Sequence, residues 1–341
     1  MRAWTLHRPG HVADRPLTLE ERRRPAPGPG EVRLRVLACG ICRTDLHIVA
    51  GELPPPRLPV VPGHQVVATV EALGSGAEES LPDGIQTGSR VGVAWLHRAC
   101  GRCAYCLEGR ENLCERPRFT GYHADGGYSE WMVAPAAALL PIPARYSDVE
   151  AAPLLCAGII GYRSLKVAGV QPGQRLALIG FGASAHLVLQ VAVAWGCEVV
   201  VFSRGPHHRQ LARRLGAAWT GAPGETPPFA ADAAISFAPA GGVVPAALQV
   251  LRRGGTLAIN AVHLEGGLPP LDYALLYHER RLASVANTTR ADGREFMALA
   301  ARLPLRVHAE AVPFTQANEA LLRLQAGETE AALVLTMERH V

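Results

Sequence analysis

Between Cys100 and Cys114 the chain reads C-x2-C-x2-C-x7-C, and these four thiols restrain the fold more than any other feature. On a compact loop, Cys100, Cys103, Cys106 and Cys114 would converge on one tetrahedral zinc with Zn–S distances of about 2.3 Å, and four protein ligands leave no open position for chemistry. The disulfide reading needs an oxidising compartment, whereas Met1 to Arg15 holds no uninterrupted apolar stretch of the kind a secretory signal requires. An iron–sulfur cluster uses similar spacings but usually places proline after the last cysteine of the run, where Glu115 stands here. Residues 97–116 are therefore expected to form a lobe around a structural zinc, in a protein of the cytoplasm.

The other cysteines, Cys39, Cys42, Cys156 and Cys197, are scattered. An isolated intracellular cysteine is by default a small buried hydrophobe, and Cys39 and Cys197, at the margins of apolar strands, read that way. Cys42 differs, because Gly40-Ile41-Cys42-Arg43-Thr44-Asp45-Leu46-His47 crowds a thiol, a hydroxyl, a carboxylate and an imidazole together, and His64 follows in Pro62-Gly63-His64. A catalytic zinc wants three N/S ligands and one open position. Cys42, His64 and Cys156 would supply them, although spacing alone does not select this trio.

A second signature lies further on. The apolar run to Ile179 meets Gly180-Phe181-Gly182-Ala183-Ser184-Ala185 and then a helical stretch. This is G-x-G-x-x-A between strand and helix, the turn in which Gly180 and Gly182 let the backbone approach a pyrophosphate and Ala185 permits close helix–strand packing. After the next strand an NAD site needs a carboxylate for the ribose 2′-hydroxyl, but Ser203-Arg204 stand there. A hydroxyl and a guanidinium suit a 2′-phosphate, so NADP(H) is favoured over NAD(H), with Arg209 as a further candidate contact.

With 341 residues, 48% of them hydrophobic and 19% charged, the chain is long enough for two domains. Proline and glycine punctuate short β-rich runs such as Val32 to Leu37 and Val66 to Val70 in the first part, which reads as β-dominated. From about Glu150, strands (Arg175 to Ile179, Glu198 to Phe202, Ala233 to Phe237, Gly255 to Asn260) alternate with helices (Ala185 to Ala194, His208 to Leu215), the pattern of a parallel sheet covered on both faces. A mixed tail follows, with helical pieces Gly293 to Arg302 and Thr315 to Ala326 and a closing strand, Ala332 to Thr336. Leu176 to Trp195 could imitate a membrane span, but its glycines, His186 and Gln190 favour strand, turn and helix. A formal charge of +4 provides no dense basic face for nucleic acid or membrane. Arg98, Arg102, Arg110 and Tyr105 do surround the cysteine lobe, but Glu108, Glu111 and Glu115 interleave with them, so a small-molecule partner is expected.

These ordered motifs, together with Trp95-Leu96 before the lobe, Gly126-Gly127-Tyr128 and Cys156-Ala157-Gly158, resemble the zinc-dependent alcohol dehydrogenases of the medium-chain dehydrogenase/reductase superfamily. The resemblance runs from Val36 to about Leu335. It implies an α/β chain in two parts: a GroES-like catalytic domain over 1–149, completed by 283–341, and an inserted Rossmann doubly wound domain over 150–282. It implies Cys42, His64 and Cys156 as catalytic zinc ligands, Asp45 as the carboxylate orienting the histidine, Thr44 as the hydroxyl on the substrate oxygen, His47 as the outer member of a proton relay and Arg43 as a pyrophosphate contact. Leu53, Trp95 and Leu96 would line the pocket for an alcohol, aldehyde or ketone, with two zincs per chain and a homodimer or homotetramer as the assembly.

Two departures accompany it. The family's Gly-His-Glu is Gly-His-Gln65 here and its next glycine is Ala68, while a Gly-Arg pair expected near the C-terminus aligns with Ala331-Ala332. Acid and basic partner are thus absent together, which leaves no unpaired buried charge. The competing readings are a zinc-free quinone or enone reductase of the same superfamily, disfavoured by the ligand trio and lobe, and a non-catalytic zinc- and nucleotide-binding protein.

Overall fold

Alternating apolar residues in the first part of the chain fold as antiparallel strands, as a period of two requires. In strand Glu31–Gly40, Val32, Leu34, Val36 and Ala38 point into the core while Arg33 and Arg35 do not. The computed structural model describes residues 1–327 and 332–338. They group into two units: Met1–Cys156 with Asn287–Arg302 and Val307–Val341, and Ala157–Ala286 with Leu303–Arg306.

Glu31–Gly40 is the central strand of the first unit. Among the described residues its sheet has seven strands, ordered Ala309–Pro313, Ala332–Thr336, Glu31–Gly40, Gln65–Leu73, Arg90–Val93 and Leu139–Pro141, with Trp131–Pro135 also on the central strand. Ala332–Thr336, the last strand in sequence, thus sits beside Glu31–Gly40, in register Val334 with Gly40 and Leu335 with Cys39. The two pack into one core with Val66, Val91, Met132, Tyr128 and Phe314. A two-stranded ribbon, Leu96–Arg98 with Arg118–Phe119, leads into and out of the cysteine segment.

The second unit is built on near-continuous apolar strands, the composition a parallel sheet buried on both faces demands. Leu176 to Leu178 and Val199 to Val201 are fully buried. Six parallel strands are ordered Trp219–Gly221, Glu198–Phe202, Arg175–Ile179, Ala231–Ser236, Leu251–Ile259 and Arg281–Ser284. This is the 3-2-1-4-5-6 order of the dinucleotide-binding fold, whose direction of winding reverses between Arg175–Ile179 and Ala231–Ser236. Helix Ala183–Ala194 covers the strands beside that reversal. The span-like stretch from Leu176 is therefore strand, turn and helix, and no helix among the described residues is long and apolar enough to cross a membrane.

Candidate active site and metal centres

Cys42 follows the central strand and occupies the N-cap of helix Arg43–Ala50 in extended conformation, φ −138° and ψ 176°. Asp45, in the first turn of that helix, accepts the Cys42 backbone N–H on Oδ2 at 2.9 Å. Its Oδ1 lies 3.3 Å from His64 Nδ1, both side chains being essentially inaccessible. The other nitrogen, His64 Nε2, is 3.4 Å from Cys42 Sγ. A zinc with tetrahedral N and S ligands separates them by about 3.5 Å.

Cys156 arrives by a different device. It lies in a π-helical turn, Leu154–Gly158, between helices Asp148–Pro153 and Ile159–Ala168. Pro153 supplies no backbone N–H, and such wide turns re-aim a side chain within a helix. The ligand atoms of Cys42, His64 and Cys156 all lie within 4.8 Å of one another. A hydrogen bond from Cys156 holds the Cys42 thiol well below its ordinary value, against burial and with further help from His64. Burial opposes charge on His64, yet Cys42 and Asp45 hold it well above the usual imidazole value. Two sulfurs and an imidazole nitrogen at this separation, with a carboxylate behind the imidazole, fit a zinc.

Two glycine motifs form opposite sides of one contact beside this trio. Gly63 has φ +96°, and a Cβ there would lie 2.3 Å from the Tyr128 ring and 2.8 Å from Cys39 Sγ. A Cβ on Gly126 would stand 2.0 Å from the Gly63 carbonyl oxygen. With both absent, Gly127 N–H donates to Gly63 O at 2.9 Å and Tyr128 N–H to Pro62 O at 3.0 Å, which fixes the backbone that presents His64. Cys39 is buried packing there. Gln65 is buried too, its side chain lying over Gly40, and among the described residues its Nε2 has no hydrogen-bond partner. Ala68 is buried in the same strand, and Ala331 lies outside the described residues.

The four-cysteine segment carries little regular structure: helix Ala104–Leu107 and one 3-10 turn, Glu111–Leu113. Its four sulfurs lie within 4.8 Å of one another, with Cys100 and Cys106 3.9 Å apart. Tetrahedral Zn–S bonds place sulfurs about 3.8 Å apart. Backbone N–H groups turn inward to the sulfurs: Cys103 to Cys100 at 3.4 Å, Cys100 to Cys114 at 3.3 Å and Arg116 to Cys114 at 3.4 Å. Such donors favour thiolates, and those of Arg102 and Cys103 draw the Cys100 thiol down to about 6. The donor set fits a closed zinc site.

In the second unit Gly180 has φ +87°, and a Cβ would meet the Ala238 backbone nitrogen at 3.0 Å. A Cβ on Gly182 would meet nothing within 4 Å. Gly182 is the N-cap of the helix that Ala183 begins, with Ala185 buried against the sheet. Open space at Gly182 and a helix N-terminus together suit a phosphate. A cavity of about 430 Å3, lined by Ile179, Phe202, Pro223, Phe229, Val243 and Ala247 among others, adjoins the strand ends. Ser203 is buried and Arg204 exposed. Arg209 donates to the carbonyls of Ser203 and Arg204 at 2.6 and 2.9 Å, so it braces the turn.

Around the trio, Arg43 is exposed, Thr44 half-buried and hydrogen-bonded to Cys42, and Leu53 half-buried. Trp95 meets the His64 ring edge-on at 5.0 Å and stacks on Phe119 at 4.7 Å. Leu96 is buried behind them in the ribbon. Sequence reasoning did not find Phe119, Tyr122, Glu52 or Asn287. Glu52 pairs with His47 Nδ1 at 2.5 Å, and Asn287 accepts the Trp95 indole N–H at 3.1 Å. The five-residue His47–Glu52 spacing was the available signal for the first; the second crosses 192 positions and has none.

Sequence-family profiles match residues 28–144, described as an alcohol dehydrogenase GroES-like domain, and 185–302, described as a zinc-binding dehydrogenase. The chain is 48% identical over 336 residues to a protein named probable alcohol dehydrogenase AdhA from Mycobacterium tuberculosis, covering 98% of this chain and 97% of that one. Among solved structures, a cinnamyl alcohol dehydrogenase of Sorghum bicolor superimposes with TM-score 0.86 at 28% identity, over 98% of this chain and 97% of that one. A cobalt- and zinc-bound thermostable alcohol dehydrogenase from Pyrobaculum aerophilum gives TM-score 0.86 at 27% identity, over 98% and 99%.

Proposed function

Because the chain belongs to the zinc-dependent alcohol dehydrogenases of the medium-chain dehydrogenase/reductase superfamily, we propose that it transfers hydride between NADP(H) and a primary or secondary alcohol or the matching aldehyde or ketone. The observation that carries this reading is the convergence of Cys42, His64 and Cys156 with Asp45 behind the histidine. These three residues would hold the catalytic zinc, and Cys100, Cys103, Cys106 and Cys114 the structural one, two zincs per chain. When bound by three protein ligands, zinc supplies a Lewis acid that draws negative charge from the substrate oxygen.

The protein's own residues do the rest. Thr44, hydrogen-bonded to Cys42, takes or returns the substrate hydroxyl proton, and His47, paired with Glu52, passes it outward. Trp95, Leu96 and Leu53 exclude water from the reacting carbon. Gly180, Gly182, Ala183 and Ala185 seat the pyrophosphate, while Ser203 and Arg204 recognise the 2′-phosphate and Arg209 keeps their turn in shape. A leucine at position 53 leaves room for medium-sized or aromatic substrates. A catalytic domain over 1–149 and 283–341, a cofactor domain over 150–282, a homodimer or homotetramer and a cytoplasmic setting, where thiols stay reduced, belong to the same reading.

NADPH-dependent reduction of an aromatic aldehyde tests it. Cys42→Ala should abolish turnover with the circular dichroism of the fold retained, and unchanged turnover would overturn the assignment of the metal site. Arg204→Ala should weaken NADPH binding far more than NADH binding, and equal effects on the two would contradict the phosphate assignment.

A further inference from the structure

Trp95 is held by contacts of two kinds. Its face stacks on Phe119 with planes 10° apart, it meets His64 in a T-shaped contact, and Tyr122 tilts against it at 5.8 Å. Stacking restrains the plane of a ring but lets it turn within that plane, whereas a hydrogen bond is directional. The directional contact is Trp95 Nε1–H to Asn287 Oδ1, 3.1 Å. The same side chain reaches the other way, Nδ2–H donating to the Asn112 carbonyl at 3.3 Å. Asn112 is 3% exposed and lies two residues before Cys114. Asn287 itself has φ +52°, a left-handed conformation that asparagine tolerates better than most residues. Three residues on, Arg290 N–H donates to Glu111 Oε1 at 2.8 Å, a second tie between this segment and the lobe.

We propose that Asn287 is a positioning residue that clamps the Trp95 ring beside His64 to the four-cysteine lobe, so that the lobe helps set the shape of the substrate pocket. One amide spans the two because it offers an acceptor to the indole and a donor to the lobe backbone at once, which neither a carboxylate nor a hydrocarbon does. The lobe then has an output at the reaction centre although its own four ligands leave no position for substrate. This inference rests on the placement of Trp95 in the pocket.

Two variants separate the two halves of the clamp. Asn287→Gly keeps the left-handed backbone and removes both bonds; Asn287→Asp keeps the acceptor for Trp95 and removes the donor to Asn112. Holoenzymes are compared by KM and kcat for benzaldehyde and acetaldehyde, and by the rate at which lobe zinc, assigned against Cys103→Ser, passes to a chromogenic chelator. Asn287→Gly should change the benzaldehyde-to-acetaldehyde KM ratio about fivefold, the worth of one hydrogen bond, with kcat nearly constant. Asn287→Asp should restore that ratio, and both variants should release lobe zinc about fivefold faster. In a Trp95→Phe background, which has no indole N–H, Asn287→Gly should have no further effect on the ratio.

A ratio unchanged in Asn287→Gly, equal ratios in the Gly and Asp variants, or additive effects with Trp95→Phe would overturn the clamp. If Trp95→Phe itself leaves the ratio untouched, the pocket assignment falls and the clamp is judged on zinc release alone, wild-type rates in Asn287→Gly then overturning it. If Asn287→Gly does not fold, the zinc-release rate of Asn287→Asp decides.

Discussion

Asp45 serves two groups through two oxygens, the helix N-cap through Oδ2 and the His64 ring through Oδ1. Asp45→Ala should therefore cost about 1 kcal/mol in stability through the lost cap and lower zinc affinity at the trio roughly 10- to 100-fold. Denaturant melts and competition with a chelator read the two effects separately, and Asp45→Asn, which still offers the cap an acceptor, should recover the first. His97 gives a pH effect of its own. It is 5% exposed, and burial together with Arg118, Arg98, Arg290 and His123 pushes its imidazole down to about 4. Unfolded, it titrates near 6.5. The unfolded chain thus binds the extra proton first as pH falls, so stability is whole above about 6.5 and declines toward pH 4, by about 3 kcal/mol in all. Unfolding curves between pH 7 and pH 4 should show this slope in the wild type, and His97→Gln should flatten it.

Among the elements, the strand-turn-helix at Gly180 predicts opposite outcomes for two neighbouring glycines. Gly180→Ala forces a side chain into a left-handed backbone against Ala238 and should destabilise the second unit by about 1–2 kcal/mol. Gly182→Ala meets no atom and should fold normally but bind the dinucleotide several-fold more weakly, as titration of NADPH fluorescence would show. The strands Arg175–Ile179, Glu198–Phe202 and Ala332–Thr336 are legible to the residue as short β-branched and aliphatic runs, the first stopping at Gly180 and the second at Ser203. The pattern marks Leu251–Ile259 only from Gly255, since Arg252-Arg253-Gly254 resembles a turn. Helix Arg290–Arg302 begins three residues before the Gly293 that its apolar pattern marks, and the signal for the earlier start is in the sequence: Thr289 and Asp292 form a capping box. Arg281–Ser284, short and at the sheet edge, carries no such pattern.

On the scale of the whole molecule, the four-cysteine cluster is legible from its spacing and the Cys42, His64 and Cys156 trio only through the family resemblance, while the contacts that aim both are not legible. The π-helical turn at Cys156, the Gly63–Gly126 approach and the Asn287 clamp depend on residues far apart in sequence or on a local irregularity that no periodicity announces. The lobe also lacks a hydrophobic core: Leu107 is 76% exposed, and Asn112 and Cys114 are its buried residues between Cys100 and Cys114. Metal–thiolate bonds would take the place of that core. Cys103→Ser should lower the calorimetric melting temperature by at least about 5 °C while the far-ultraviolet spectrum of the two sheets persists.

The pairing of Ala332–Thr336 with Glu31–Gly40 has a consequence in time. The loop that carries Cys42 is held by a bond from Ile41 N–H to Leu333 O, so on the ribosome the metal-binding corner waits for a strand made some 290 residues later. The second unit, apart from Leu303–Arg306, is one unbroken stretch, Ala157–Ala286, and is synthesised before that strand. Until the strand emerges, the Ala38–Gly40 end of the central strand, beyond the stretch that Trp131–Pro135 pairs, presents an open edge, the surface on which one nascent chain can pair with another.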